Sequence, residues 1–308
     1  MSDAEKPLVT FALFAYNQEK YIREAVEGAF SQTYEPLEII LSDDCSSDRT
    51  FEIMQEMVAA YEGPHRVRMR RSEKNAGLAE HINSVAKIVN GDIVVVAAGD
   101  DVSIKNRVDI LAQTFRSDPT AFAVLSNYSC IPEAAALSGN RNPSSDPVTP
   151  TEILANGGGV QIGATYAYRR PCFTWPANLP DWLQCEDRLL PFRASLLGRV
   201  RYVDNILIRY RISVSHLEIS LKQSRNHHYK DLRHFAALEE CVNRAGKDGL
   251  ISFPKQIYLK VLILFLKKSI SLRHKSGLSK IIGHSMHIGI RACRKVSVIS
   301  SRMLLLSI

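Results

Sequence analysis

Apolar positions in the first hundred residues alternate between short continuous runs and helical stripes. Leu8 to Phe14 is a β-prone run, followed from Gln18 to Gln32 by Tyr21, Ile22, Ala25, Val26 and Ala29 at helical spacing. The pattern then predicts strand Leu37–Ser42, helix Thr50–Tyr61, strand Val67–Arg71, helix Leu78–Val89 and strand Asp92–Ala97. Uninterrupted Ile, Val and Leu, as from Ile93 to Val96, mark strands buried on both faces. Strand alternating with helix reads as βαβ units around a mostly parallel sheet. A helix over Lys105–Arg116, a strand near Ala121–Ser126, a strand over Ile162–Tyr168, a helix over Arg188–Leu197 and a strand over Val200–Val203 follow. The Ser-, Asn- and Pro-rich stretch Ser138–Pro150 reads as a loop within this unit. Beyond His216 the pattern is helical, over Ser220–Ala245, Lys255–Arg273 and Leu278–Lys295. The apolar core of the second, IYLKVLILFL, is shorter than the ~20 residues that span a bilayer. It reads as an amphipathic helix on a membrane or a core helix with a basic outer face.

Composition changes this picture mainly at the C-terminal end. The chain has 308 residues, 45% hydrophobic and 23% charged, with a net charge of +7. The last acidic residue is Asp248, yet eleven Lys and Arg follow between Lys255 and Arg302. A slightly acidic body with a basic tail suggests a polyanionic surface as partner, lipid or nucleic acid. No nucleic-acid motif accompanies the charge, so a lipid surface is preferred and no nucleic acid is expected. The six cysteines show no metal-type spacing and read as free thiols. The N-terminus shows no signal-peptide pattern, and a cytoplasmic location, peripheral on the inner face of the membrane, is expected.

Candidate chemistry falls at strand C-terminal ends, where open α/β sheets bind ligands. Ala15, Tyr16 and Asn17 follow the first strand, and Asp43 and Asp44 follow the second. Arg71, Asn75 and Gly77 follow the third, and Asp100 and Asp101 the fourth. Adjacent carboxylates repel unless a proton or cation neutralises them, and oxygen donors suit Mg²⁺ or Mn²⁺. Helix capping and turn chemistry are the plainer readings of the same acids. A dehydrogenase is disfavoured, because no GxGxxG follows the first strand.

The run from Ala15 to Thr50, AYNQEKYIREAVEGAFSQTYEPLEIILSDDCSSDRT, resembles the opening of family 2 glycosyltransferases. The run from Arg71 to Asp101, RSEKNAGLAEHINSVAKIVNGDIVVVAAGDD, continues the likeness, which covers residues 7–215. It implies a GT-A fold and an inverting transferase of cell-surface polysaccharide synthesis, with a UDP- or dTDP-sugar donor and a saccharide or lipid-linked acceptor. Asp44, with Asp43, would contact the base; Ala15 and Asn17 would line the nucleotide pocket; Arg71 would lie near the base or diphosphate. Asp101, helped by Asp100, would hold Mn²⁺ or Mg²⁺ on the diphosphate. The segment from Asp181 to Arg188 resembles the family's "ED" motif, making Asp187 the general base and Glu186 its neighbour or substitute. Leu207 to Arg211 resembles its closing "YR" segment, with Arg211 near the diphosphate and His216 at a position where some members carry a metal-binding His. The sequence departs from the pattern at Cys45, where glycine is usual, and at Ala98, where a longer DxDD form has aspartate. The implied division is a catalytic domain over 1–215, with a nucleotide-sugar half (1–101) and an acceptor half (102–215), then a basic helical extension (216–308). A catalytically inactive scaffold of the same fold, or a nucleic-acid binder using the tail, are the alternatives.

Overall fold

The computed structural model describes residues 6–131, 143, 146–156, 160–212 and 227–276. The expected βαβ run is present as β1 (Val9–Ala15), α1 (Ile22–Phe30), β2 (Leu37–Asp43), α2 (Thr50–Ala59), β3 (Arg66–Arg71), α3 (Leu78–Ala86) and β4 (Ile93–Ala98). Then come β5 (Val102–Ser103), α4 (Arg107–Ser117), β6 (Ala121–Ile131), α5 (Pro150–Ala155), β7 (Tyr166–Arg169), α6 (Pro171–Thr174), α7 (Leu190–Leu197) and β8 (Arg199–Arg211). Helices α8 (His227–Lys247) and α9 (Phe253–Ser276) follow.

Among the described residues the strands form one sheet in the order β3-β2-β1-β4-β7-β6-β8-β5. The β3-β2-β1-β4 half is parallel throughout. The second half is mixed: β7 runs antiparallel to β4 and β6, β8 parallel to β6, and β5 antiparallel to β8. The apolar runs of the first hundred residues thus form the parallel half they suggest, and every antiparallel pair includes a later strand.

Side chains alternate between the faces, as strand pleating requires. Ala12 and Phe14 of β1 join Val94 and Val96 of β4 in one apolar cluster, with α3, α7, α8 and α9. Val9, Phe11, Leu13 and Ala15 join Ile93, Val95 and Ala97 in the other, against α1, α2 and α4. The helices after residue 216 thus share the core of one sheet face, through Phe235, Leu238, Val242, Leu259, Leu262 and Leu266.

Several elements differ from the sequence reading. Ile162 stands outside a strand: Gly163–Thr165 is a 3₁₀ turn, and β7 begins only at Tyr166. Glu186–Arg188 is likewise a 3₁₀ turn, because Pro191 fits the first turn of a helix starting at Leu190. Strand β8 runs past Asp204 and Asn205, which interrupt its apolar pattern, and on through Leu207 and Ile208 to Arg211. Most of the Ser138–Pro150 loop, His216 and the Leu278–Lys295 helix lie outside the described residues.

Candidate active site

Three chain segments converge at the C-terminal ends of β1, β2 and β4. A cavity of about 550 Å³ there is lined by Ala15, Tyr16, Asp44, Asn75, Gly77, Asp100 and Asp101 from the first half. From the second half it takes Ile162, Gly163, Ala164, Gln184, Cys185, Glu186, Asp187 and Tyr210. A cavity of about 610 Å³ at the opposite, N-terminal end of β1–β3 contains none of these residues.

Asp44 is 3% exposed, and its carboxylate accepts the N–H groups of Ala76 (3.2 Å) and Gly77 (3.0 Å). Gly77 has φ +79°, so the segment before α3 turns back on Asp44 in a conformation that favours glycine. Asp43 lies deeper and does not line the cavity. Its carboxylate takes the N–H of Ser46 at 2.9 Å and the Ser46 hydroxyl, and pairs with Arg71 Nε at 3.3 Å. Arg71 also donates to the Ser46 carbonyl at 2.6 Å and lies over the Phe51 ring. Asn17 (φ 52°) uses its side-chain oxygen to accept the N–H of Ser47 at 2.9 Å. Asp43, Arg71 and Asn17 therefore hold the loop that presents Asp44, and stand behind the cavity wall rather than in it. Cys45 has φ 62°, a left-handed conformation in which a glycine at that position is easily understood.

Asp101 is 6% exposed. Its Oδ1 accepts the backbone N–H of Arg211 at 2.9 Å, while Oδ2 is buried without a hydrogen-bond partner. Burial, reinforced by the charge of Asp100, pushes its pKa up to about 8. Arg211 does not line the cavity: its guanidinium donates to the Asp100 carbonyl (3.0 Å), pairs with Glu24 (3.0 Å) and lies over the Tyr21 ring. An orphaned buried carboxylate oxygen beside a second carboxylate fits a hard divalent cation. No group of three or more His, Cys, Asp or Glu side chains gathers as a metal cage among the described residues. Such an ion would need substrate oxygens to complete its shell.

Glu186 and Asp187 are half-buried on the 3₁₀ turn before α7. Burial raises both carboxyls above the ordinary range; the Asp187 charge adds to this for Glu186, whereas Arg188 opposes it for Asp187. Gly163 backs them: a Cβ built there would sit 1.9 Å from Glu186 Oε1, and its backbone hydrogen-bonds Asp187.

Three contributors lay outside the sequence-based site. His81 lines the cavity, is 3% exposed, lies 2.6 Å from Ser42 Oγ and packs edge-on to Phe14. Burial holds its pKa down to about 4 despite the nearby Asp44 carboxylate. Its place in the apolar stripe Leu78, His81, Ile82, Val85 is the signal that points to it. Arg107 is fully buried, and bonds Ser103 Oγ (2.9 Å), the Val96 carbonyl (2.8 Å) and the Ala164 carbonyl (2.5 Å). It too sits in a helical stripe, with Val108, Leu111 and Phe115. Gly163 has no comparable signal.

This geometry can be set beside known proteins. The glycosyltransferase GlyG of Streptococcus pneumoniae is 31% identical over 121 residues, 39% of each chain. The chondroitin synthase of Escherichia coli is 36% identical over 112 residues, 36% of this chain and 16% of that one. The chain thus matches well under half the length of these curated relatives. Two solved structures at 16% identity share the fold with TM-scores of 0.57: S. aureus TarS 1-349 in complex with UDP, and mannosyltransferase PcManGT from Pyrobaculum calidifontis in complex with GDP-Man and Mn²⁺. The first likeness covers 88% of this chain and 92% of that one; the second, 98% and 86%. The profile of Glycosyl transferase family 2 matches residues 10–173, which hold the β1, β2 and β4 strand ends with Asp44, Asp100 and Asp101. With the GT-A fold around that cavity and more than half of the chain matched, the protein belongs to glycosyl transferase family 2.

Proposed function

We propose that the chain transfers a sugar from a nucleoside-diphosphate donor, UDP- or dTDP-linked, to a hydroxyl of a saccharide or lipid-linked saccharide in polysaccharide synthesis. The observation that carries this reading is the single cavity lined together by Asp44, Asp100, Asp101, Glu186 and Asp187. Structural neighbours that bind UDP, UDP-GlcNAc and GDP-Man support a nucleotide-sugar donor.

In this reading Asp44 and the Asn75–Gly77 segment hold the nucleoside end. Asp101 and Asp100 would hold Mn²⁺ or Mg²⁺, which as a Lewis acid offsets charge on the leaving diphosphate. Asp187 accepts the acceptor's hydroxyl proton while that oxygen attacks the anomeric carbon. The bond from the anomeric carbon to the diphosphate oxygen breaks, its electron pair staying on that oxygen, and one displacement gives inversion. Burial and the Asp187 charge both favour the protonated form of Glu186. Gly163 leaves room for both carboxyls. Asn17, Asp43, Arg71 and Arg211 act through position, bracing the loops that present Asp44 and Asp101.

A panel of nucleotide sugars with Mn²⁺ or Mg²⁺, read by thermal shift and nucleoside-diphosphate release, tests the reading. The matching donor should raise Tm by several degrees, since ligand at a hundred times Kd stabilises by about 2.7 kcal/mol. Asp101→Ala should lose the metal-dependent part of the shift and turnover. Wild-type turnover in that variant would remove Asp101 from the site.

A further inference from the structure

Helix α9 is apolar on both sides, and among the described residues only one side packs into the fold. Leu259, Leu262, Ile263 and Leu266 are 1–2% exposed against the core. On the opposite side Phe253 is 72% exposed, Ile257 45%, Val261 52% and Leu264 55%. At ~100° per residue these four lie within an arc of ~80°, a single continuous stripe. A stripe of large apolar side chains on a surface helix calls for a partner, where scattered exposed residues would not.

The charges around the stripe name the partner. Lys268 is exposed within the stripe and Lys260 and Lys267 are half-exposed along one edge of it, while Lys255 is exposed on the other side of the helix. After Asp248 the chain contains no further Asp or Glu to pair with them. We infer that the exposed face of α9 docks on an anionic lipid bilayer, with Phe253, Ile257, Val261 and Leu264 entering the headgroup–acyl boundary and Lys260, Lys267 and Lys268 meeting lipid phosphates. No helix among the described residues is long and apolar enough to cross a membrane, so α9 lies in the plane of the surface. A second copy fits poorly: a two-fold interface would set the lysine-flanked stripe against itself, with like charges facing. The chain's own residues after Ser276 add five more Lys and Arg and no acid, so folding them over the stripe meets the same repulsion. A free saccharide would find no hydrogen-bonding group on the four apolar side chains. The inference sharpens the expectation drawn from the basic tail and is independent of the transferase chemistry.

The test is flotation of the full chain with vesicles of phosphatidylcholine alone or mixed with phosphatidylglycerol. Wild type should float with the mixed vesicles at low salt, be released at high salt, and leave neutral vesicles largely unbound. The Phe253→Ser/Val261→Ser double variant should bind at least about tenfold more weakly at unchanged Tm, because only exposed side chains change. Ile206→Ser, an equally exposed apolar residue on β8 at 52%, should bind as wild type. Equal flotation of wild type and the double variant overturns the proposal. So does a wild-type dimer that the double variant converts to monomer without vesicle binding, which would assign the stripe to a second copy. A Tm several degrees lower in the double variant also overturns it, because the stripe would then be covered by the chain itself. Donor-induced thermal shift without vesicles should be the same in every form, so failure of the transferase reading shows separately from failure of membrane docking.

Discussion

Glu186 and Asp187 are adjacent, half-buried carboxyls lining one cavity. Both are raised by burial and each charge disfavours the other, so the pair gives up its protons in two steps, and the Arg188 charge favours ionisation at Asp187 first. A general base works only when ionised, so transfer should rise with pH along a limb placed above the ordinary carboxylate range. Glu186→Gln keeps a neutral group beside Asp187 and should leave that limb in place with turnover within about tenfold of wild type. Loss of turnover in Glu186→Gln with Asp187→Asn still active would exchange the two roles. His81 makes a second, separate pH prediction. Its folded pKa of about 4 lies below the ordinary value of 6.5, so between those values the unfolded chain binds more protons. Stability should therefore fall as pH drops through that window, and be fully present above it. Tm measured from pH 7 to 4.5 should decline less steeply in His81→Gln; an unchanged slope would mean His81 is protonated in the folded state. The places of Asp44, Asp101 and Asp187 on the cavity wall were legible, because each sits in a motif at a strand end or turn. The bracing duties of Asp43, Arg71 and Arg211 were not, because they depend on which way a side chain leaves the loop.

At the level of elements, the parallel half was legible from its continuous apolar runs. The mixed half was not, because β7 is short and polar residues punctuate β8. The turns between these strands shape one side of the cavity, through residues 162–164 and 184–187. Arg107 clamps Val96 at the end of β4 to Ala164 in the 3₁₀ turn before β7, joining the two halves under the site. Burial lowers its pKa to about 9, opposed by the charge of the half-satisfied Asp101. The same 3₁₀ turn supplies Gly163. Gly163→Ala must displace the Glu186 carboxyl, since its Cβ would fall 1.9 Å from Oε1. Transfer should drop by about 10²-fold, the scale of catalytic misplacement by an ångström, while donor-induced thermal shift persists. Wild-type rates in Gly163→Ala would show that the ED turn tolerates that movement.

For the whole molecule, the cavity sits where the sheet changes from parallel to mixed, so each half contributes one side of the proposed reaction. Cavity-lining residues of both halves are legible in the sequence because each group is a local string. What was not legible is the second apolar face of α9. Periodicity alone cannot say which of two apolar faces a fold will use, and packing against α8 decides it. The most direct measurement compares wild type with Asp187→Asn, pairing donor-induced thermal shift with release of nucleoside diphosphate in the presence of a saccharide acceptor. Equal thermal shifts in both forms, with release reduced in the variant by about 10²–10⁴-fold, are predicted. Equal release from both forms, or no nucleotide-sugar binding by either, would contradict the account.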